Sequence, residues 1–156
     1  MHSIDDVYRA FGYAAEAAQL LETELGTLLF QIRCEDLALV GGDRGVEARP
    51  ILDKINHSTL GALLKKVDAE TNDLAHASED LARALAERNR LSHHFFRQHN
   101  NRRNTDEGRA VMVADLERIQ STIFAAYKLV MKVGGTDLDA LDLDSTDLPT
   151  KHLKLD

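Results

Sequence analysis

A chain of 156 residues, 44% of them hydrophobic, is long enough to bury one core and short for two. Its formal net charge of −7 excludes a surface coated for polyanion binding, although a local basic patch can stand on an acidic chain. The single cysteine, Cys34, excludes an internal disulfide and, lying in an apolar helical run, reads as a small buried hydrophobe.

The N-terminal stretch MHSIDDVYRAFGYAAEAA carries acids where a secretion signal carries basic charge, and no uncharged run approaches the roughly 20 residues of a membrane span. A soluble, cytoplasmic protein with no membrane partner is expected. Val7, Phe11, Ala14, Ala18, Leu21, Leu25, Leu28, Leu29 and Ile32 recur three and four residues apart, which predicts one long helix over about residues 5–40. The glycines and proline of GGDRGVEARP (41–50) predict an exposed turn. STLGALLKKV (58–67) opens with hydroxyl residues suited to an N-cap and carries Leu60, Leu63, Leu64 and Val67 at helical spacing. A further helix is predicted over about residues 72–99, with Leu74, Ala77, Leu81, Ala84, Leu85, Leu91 and Phe95 as its inner face. The polar run QHNNRRNTDEG (98–108) should close it. A last helix follows over about residues 106–133, on the stripe Val113, Leu116, Gln120, Ile123, Tyr127 and Val130.

Isoleucine and valine fall at helical rather than alternating positions, so no strand is expected, and the fold reads as an all-α bundle of four to five helices in one domain, residues 1–133. Residues 134–156 alternate Asp and Leu around Pro149 and read as an acidic C-terminal tail, solvated or docking its leucines on this protein or a partner. The tail lacks the glycine and terminal glutamate of an EF-hand loop, so no calcium site is expected there.

Within ERNRLSHHFF (87–96), with Leu81 at zero and 100° per residue, Leu85 falls at ~40°, Leu91 at ~280°, Phe95 at ~320° and Arg88 at ~340°. Arg88 therefore points into the apolar stripe, and an unpaired charge there costs several kcal/mol, roughly. A structural ion pair, a dimer interface or a water-filled site that uses the charge would each explain it. Asn89 and His93, at ~80° and ~120°, form a polar strip beside it. A guanidinium shaped to hold phosphate and an imidazole that titrates near neutrality suit phosphodiester chemistry.

RNRLSH, Arg88 to His93, resembles the R-N-x-x-x-H form of the R-x(4–6)-H motif of HEPN domains, a family of small all-helical proteins, many of them ribonucleases of toxin or abortive-infection type. The resemblance implies a HEPN-like bundle over residues 5–133 and a homodimer in which two copies of the motif meet across a cleft. It also implies a metal-independent endoribonuclease, without cofactor, that leaves 2′,3′-cyclic phosphate ends. Arg88 would stabilise the charge developing on the phosphate. His93 would act as general base or acid. Asn89 would orient His93 or the substrate. His94 satisfies the looser spacing and is the alternative histidine; His93 is favoured for lying nearer the inner face. Phe95 stands where one branch of the family carries a tyrosine that a partner nucleotidylates, so that regulation is not expected here.

Between Arg83 and Arg109, seven arginines face three acids, a local charge of +4, and Arg97, Arg102 and Arg103 are the candidate contacts to RNA phosphates. An antitoxin or other regulatory protein, or the acidic tail, would cover such a patch. Two further readings stand beside the enzyme: a non-catalytic HEPN-like module binding RNA or a nucleotide, and a plain helical interaction protein in which Arg88 meets a buried carboxylate such as Asp36. No metal site is expected, because His93, His94 and His99 diverge and no H-x3-H or cysteine partner converges on them. Ser92 lies one turn from Arg88, but arginine is a poor base to activate its hydroxyl.

Overall fold

The computed structural model describes residues 1–37, 45–70 and 74–141. Helices α1 (Ile4–Asp36), α2 (Gly45–Asn56), α3 (Leu60–Glu70), α4 (Ser78–His93), the single-turn α5 (Phe95–Gln98) and α6 (Asp106–Val133) follow in chain order, with 3-10 turns at Ala75–Ala77, Arg102–Asn104 and Leu138–Ala140, and no strand occurs among the described residues. The fold is all-α. No helix among these residues is long and apolar enough to cross a membrane.

Local chemistry fixes the ends of the two long helices. Ser3 closes a capping box: its hydroxyl accepts from the Asp6 N–H at 3.1 Å while the Asp6 carboxylate accepts from the Ser3 N–H at 2.8 Å. Thr105 caps α6 by accepting from the Gly108 N–H at 3.0 Å. At the far end of α6, Gly135 takes φ 94° and the N–H groups of Thr136 and Gly135 return to the carbonyls of Met131 and Lys132, the pattern of a Schellman cap. The chain then turns back, and Asp137 and Asp139 pair with Lys132 and Lys128. The remainder of the acidic stretch, 142–156, lies outside the described residues.

Contacts between helices set their directions. The His2 N–H donates to Asp106 at 2.7 Å near the start of both long helices, and Glu24 lies beside Gly134 near the end of α6, so α1 and α6 run parallel. Helix α4 runs opposite to both, joining Arg88 to Glu22 and Arg90 to Asp115. Leu21, Leu25 and Leu29 of α1, Leu81, Ala84 and Leu91 of α4, and Leu116, Ile119 and Ile123 of α6 form the central core. The far half of α1 packs against α2 and α3, where Leu60, Leu63 and Val67 are buried.

Three segments differ from the expectations. Helix α2 occupies part of the stretch in which a turn was expected, with Pro50 inside it. A proline at the sixth helical residue removes one ladder bond. Burial of Ile55 against α1 offsets that loss, its Cγ2 lying 3.1 Å from where a Cβ on Gly26 would stand. Helix α1 ends at Asp36, and residues 38–40 of the expected helix lie outside the described residues. The helix expected over 72–99 is broken: a 3-10 turn precedes α4, and His94 leaves helical geometry at φ −129°, ψ −19° before α5 begins. Helix α6 keeps the bounds read from the sequence, and Cys34 is buried as expected.

Gly108 sets how closely α6 approaches the preceding turn. A Cβ there would lie 2.0 Å from the Arg102 carbonyl oxygen, so the 102–104 turn would have to move. Gly108→Ala is expected to destabilise the chain by about 2 kcal/mol. Thermal unfolding monitored by circular dichroism checks this, and an unchanged midpoint would show that the turn yields freely.

Candidate functional site

Arg88 lies at the seam of α4 with α1, its side chain 24% exposed. Its Nη2 donates to Glu22 Oε2 at 3.5 Å and its Nη1 to Asn89 Oδ1 at 3.2 Å. The direction read from the helical angles is therefore right, but the carboxylate it meets is Glu22. Asp36 is exposed at the end of α1 and does not pair with Arg88. Asn89 contacts Arg88, not His93.

His93 and His94 are both exposed, so burial does not separate the two candidate histidines. Their rings stand 6.2 Å apart, and no hydrogen bond joins either to Arg88 among the described contacts. Within one chain the motif is thus split: the arginine faces α1 and the histidine faces outward. Phe95 is 1% exposed and belongs to the core, as does Leu91. A cavity of about 610 Å³ lies between α3 and α4, lined by Leu64, Leu74, Leu81 and Leu85 among others, away from the motif histidines.

Arg90, two residues on, is held very differently. It makes a bidentate pair with Asp115, both bonds at 2.8 Å, and donates from Nε to Glu87 at 2.8 Å. Arg118 ties the same two carboxylates together from α6, at 2.9 Å each. Hydrogen bonds from Arg90 hold the Asp115 carboxyl well below the usual carboxylate range against the opposing effect of burial, with His99 and Arg118 adding to the shift. Burial pushes Glu87 upward, but its bonds from Arg118 and Arg90 outweigh this and lower it.

His99 completes this network, and sequence reasoning missed its role. It is 3% exposed, its Nε2 lies 2.8 Å from Asp115, and its Nδ1 lies 3.1 Å from Arg102 Nη1. A guanidinium only donates, so Nδ1 accepts from Arg102 and Nε2–H donates to Asp115. The signal was present in the spacing: Leu91, Phe95 and His99 continue one stripe at intervals of four.

The candidate phosphate contacts occupy the segment between α5 and α6. Arg97 is exposed on α5, Arg102 is engaged by His99, and Arg103 donates to the Tyr8 hydroxyl at 3.4 Å. None of the three has a carboxylate within ion-pairing distance among the described residues, whereas Arg83, Arg88, Arg90 and Arg109 each do. The chain matches no protein-family model, and no curated protein and no solved structure resembles it significantly.

Proposed function

We propose that the chain is a metal-independent endoribonuclease of HEPN type that acts as a homodimer, Arg88 of one protomer and His93 of the other converging on one RNA phosphodiester. The observation that carries this reading is the contrast between two arginines two residues apart. Arg90 is locked by paired carboxylates at 2.8 Å, while Arg88, on the inner stripe of the same helix, has one carboxylate at 3.5 Å and a neutral amide. A loosely paired, half-buried guanidinium is available to an incoming phosphate in a way that Arg90 is not.

The chemistry then needs no covalent enzyme intermediate. One His93, neutral, takes the proton from the ribose 2′-hydroxyl as that oxygen attacks phosphorus. The same imidazole, now protonated, returns the proton to the departing 5′-oxygen, which leaves as a hydroxyl. Arg88 stabilises the charge on the non-bridging oxygens, and the other product end is a 2′,3′-cyclic phosphate. Arg97, Arg102 and Arg103 hold the flanking backbone, and in a toxin-like setting a regulatory protein would cover the same segment. The split of Arg88 from His93 within one chain supports the two-protomer arrangement.

His93→Ala is expected to lower cleavage of total RNA by about 10²-fold or more, and His94→Ala to retain most of it. Gel analysis of the fragments checks both, and loss in His94→Ala alone would reassign the histidine. A second reading, a non-catalytic RNA-binding or protein-interaction module, is favoured by the Arg88–Glu22 contact, which joins α4 to α1 as a structural pair would. Wild-type protein that binds RNA without cutting it would select that reading.

A further inference from the structure

The two phenylalanines after the histidines part company. Phe95 is 1% exposed, whereas Phe96 is 39% exposed. Phe95, on the inner stripe, enters the core while Phe96 turns to the surface, and the two rings stand edge to face at 84°. Phe96 does not stand alone on the surface. Phe11, partly buried, braces it at 5.1 Å, and Tyr8, 49% exposed, lies 6.2 Å away across the α1 seam.

Single exposed aromatics are ordinary, but adjacent rings set among unneutralised cations are a recognisable surface. Arg103 reaches the Tyr8 hydroxyl, and Arg97 follows Phe96 directly. Two carboxylates on the neighbouring surface are engaged elsewhere, Asp6 by Ser3 and Arg9, and Asp106 by the His2 N–H and Arg109, while the exposed Asp5 and Glu107 stand outside these pairs. The face therefore combines the π surface of Tyr8 and Phe96 with the cations Arg97 and Arg103, which have no carboxylate within ion-pairing distance among the described residues. That complementarity selects a polyanion carrying flat rings over an acid-balanced protein surface.

We propose that Tyr8, Phe96 and Arg103 form a base-stacking subsite that takes an unpaired nucleobase of an RNA strand whose backbone follows Arg97 and Arg102. It rests on the reading of the chain as an RNA-cleaving protein and names the substrate class: single-stranded RNA. Bases inside a duplex are already stacked, so only an unpaired one can be splayed onto these rings. Phe96 lies three residues beyond His93, so a base held there places its strand beside the motif histidine.

The test is fluorescence anisotropy of the full chain with a labelled 2′-O-methyl single strand, which lacks the attacking hydroxyl, and with the same strand annealed into a duplex. Tyr8→Leu and Phe96→Leu are each expected to weaken single-strand binding roughly tenfold. Duplex binding should be unchanged, and the ring-keeping variants Tyr8→Phe and Phe96→Tyr should bind as wild type does. Leucine variants that bind the single strand undiminished overturn the subsite, as does equal loss of single strand and duplex. Loss of self-association in those variants without loss of RNA affinity also overturns it and assigns the face to a second copy or another protein. Cleavage by wild type combined with ring-independent binding sinks the subsite alone; ring-dependent binding without cleavage sinks the nuclease reading alone.

Discussion

Replacing Asp115 with asparagine is expected to destabilise the folded chain by about 3 kcal/mol, the largest loss from a single polar substitution in this bundle. The carboxylate accepts from Arg90, His99 and Arg118 at once, and it sits on α6 facing both α4 and the segment that leads to Arg102. Asparagine offers one acceptor oxygen for that set and leaves the Arg90 guanidinium short of its counter-charge. The same network sets an acid limb. Asp115 and Glu87 both have folded-state values below their usual ones, so their contribution is fully present above the unfolded range of about pH 4 and is lost as pH falls through the folded values. Denaturant titrations of wild type should show stability falling below about pH 4, and Asp115→Asn should flatten much of that fall. An unchanged midpoint at neutral pH, or an acid limb identical in the variant, would contradict the network's role.

Arg88→Ala is expected to do the opposite, lowering RNA cleavage by about 10²- to 10³-fold, as loss of one preorganised charge donor does, while costing at most about 1 kcal/mol of stability. The asymmetry follows from geometry: Arg88 has one carboxylate at 3.5 Å with a partly exposed side chain, against the paired 2.8 Å bonds of Arg90. Cleavage rates and unfolding midpoints measured on one preparation check both halves. A variant that loses several kcal/mol would place Arg88 with Arg90 as a structural residue.

Much of the bundle is written locally. Thr105 as a cap, the apolar stripe through Leu116 and Ile123, and Gly134–Gly135 at the end give α6 its limits. The capping box at Ser3 and the leucine repeat do the same for the start of α1. Helix α2 was hidden because glycine and proline are strong local breakers, and burial of Ile55 against Gly26 comes from a helix distant in the pattern. The break at His94 has no local marker, since neither Gly nor Pro occurs between 78 and 107. Burial of Phe95 and the pairing of His99 with Asp115 accompany it, and both are tertiary events.

The candidate site was legible in the same uneven way. Helical angles placed Arg88 on the inner stripe, because a direction needs only the 3.6-residue period. Its carboxylate, Glu22 rather than Asp36, depends on where α1 crosses α4, which no spacing within either helix encodes. The exposure of both histidines agrees with their helical angles, ~120° for His93 and ~220° for His94, which lie off the apolar stripe.

The measurement that bears most directly on the central claim is incubation of purified wild-type protein and the Arg88→Ala variant with total RNA in excess EDTA, followed by end-group analysis of the fragments. Cleavage by wild type alone, leaving 2′,3′-cyclic phosphate ends, is the result predicted for a metal-independent ribonuclease that acts through Arg88. Equal cutting by both proteins, or intact RNA with both, would contradict it.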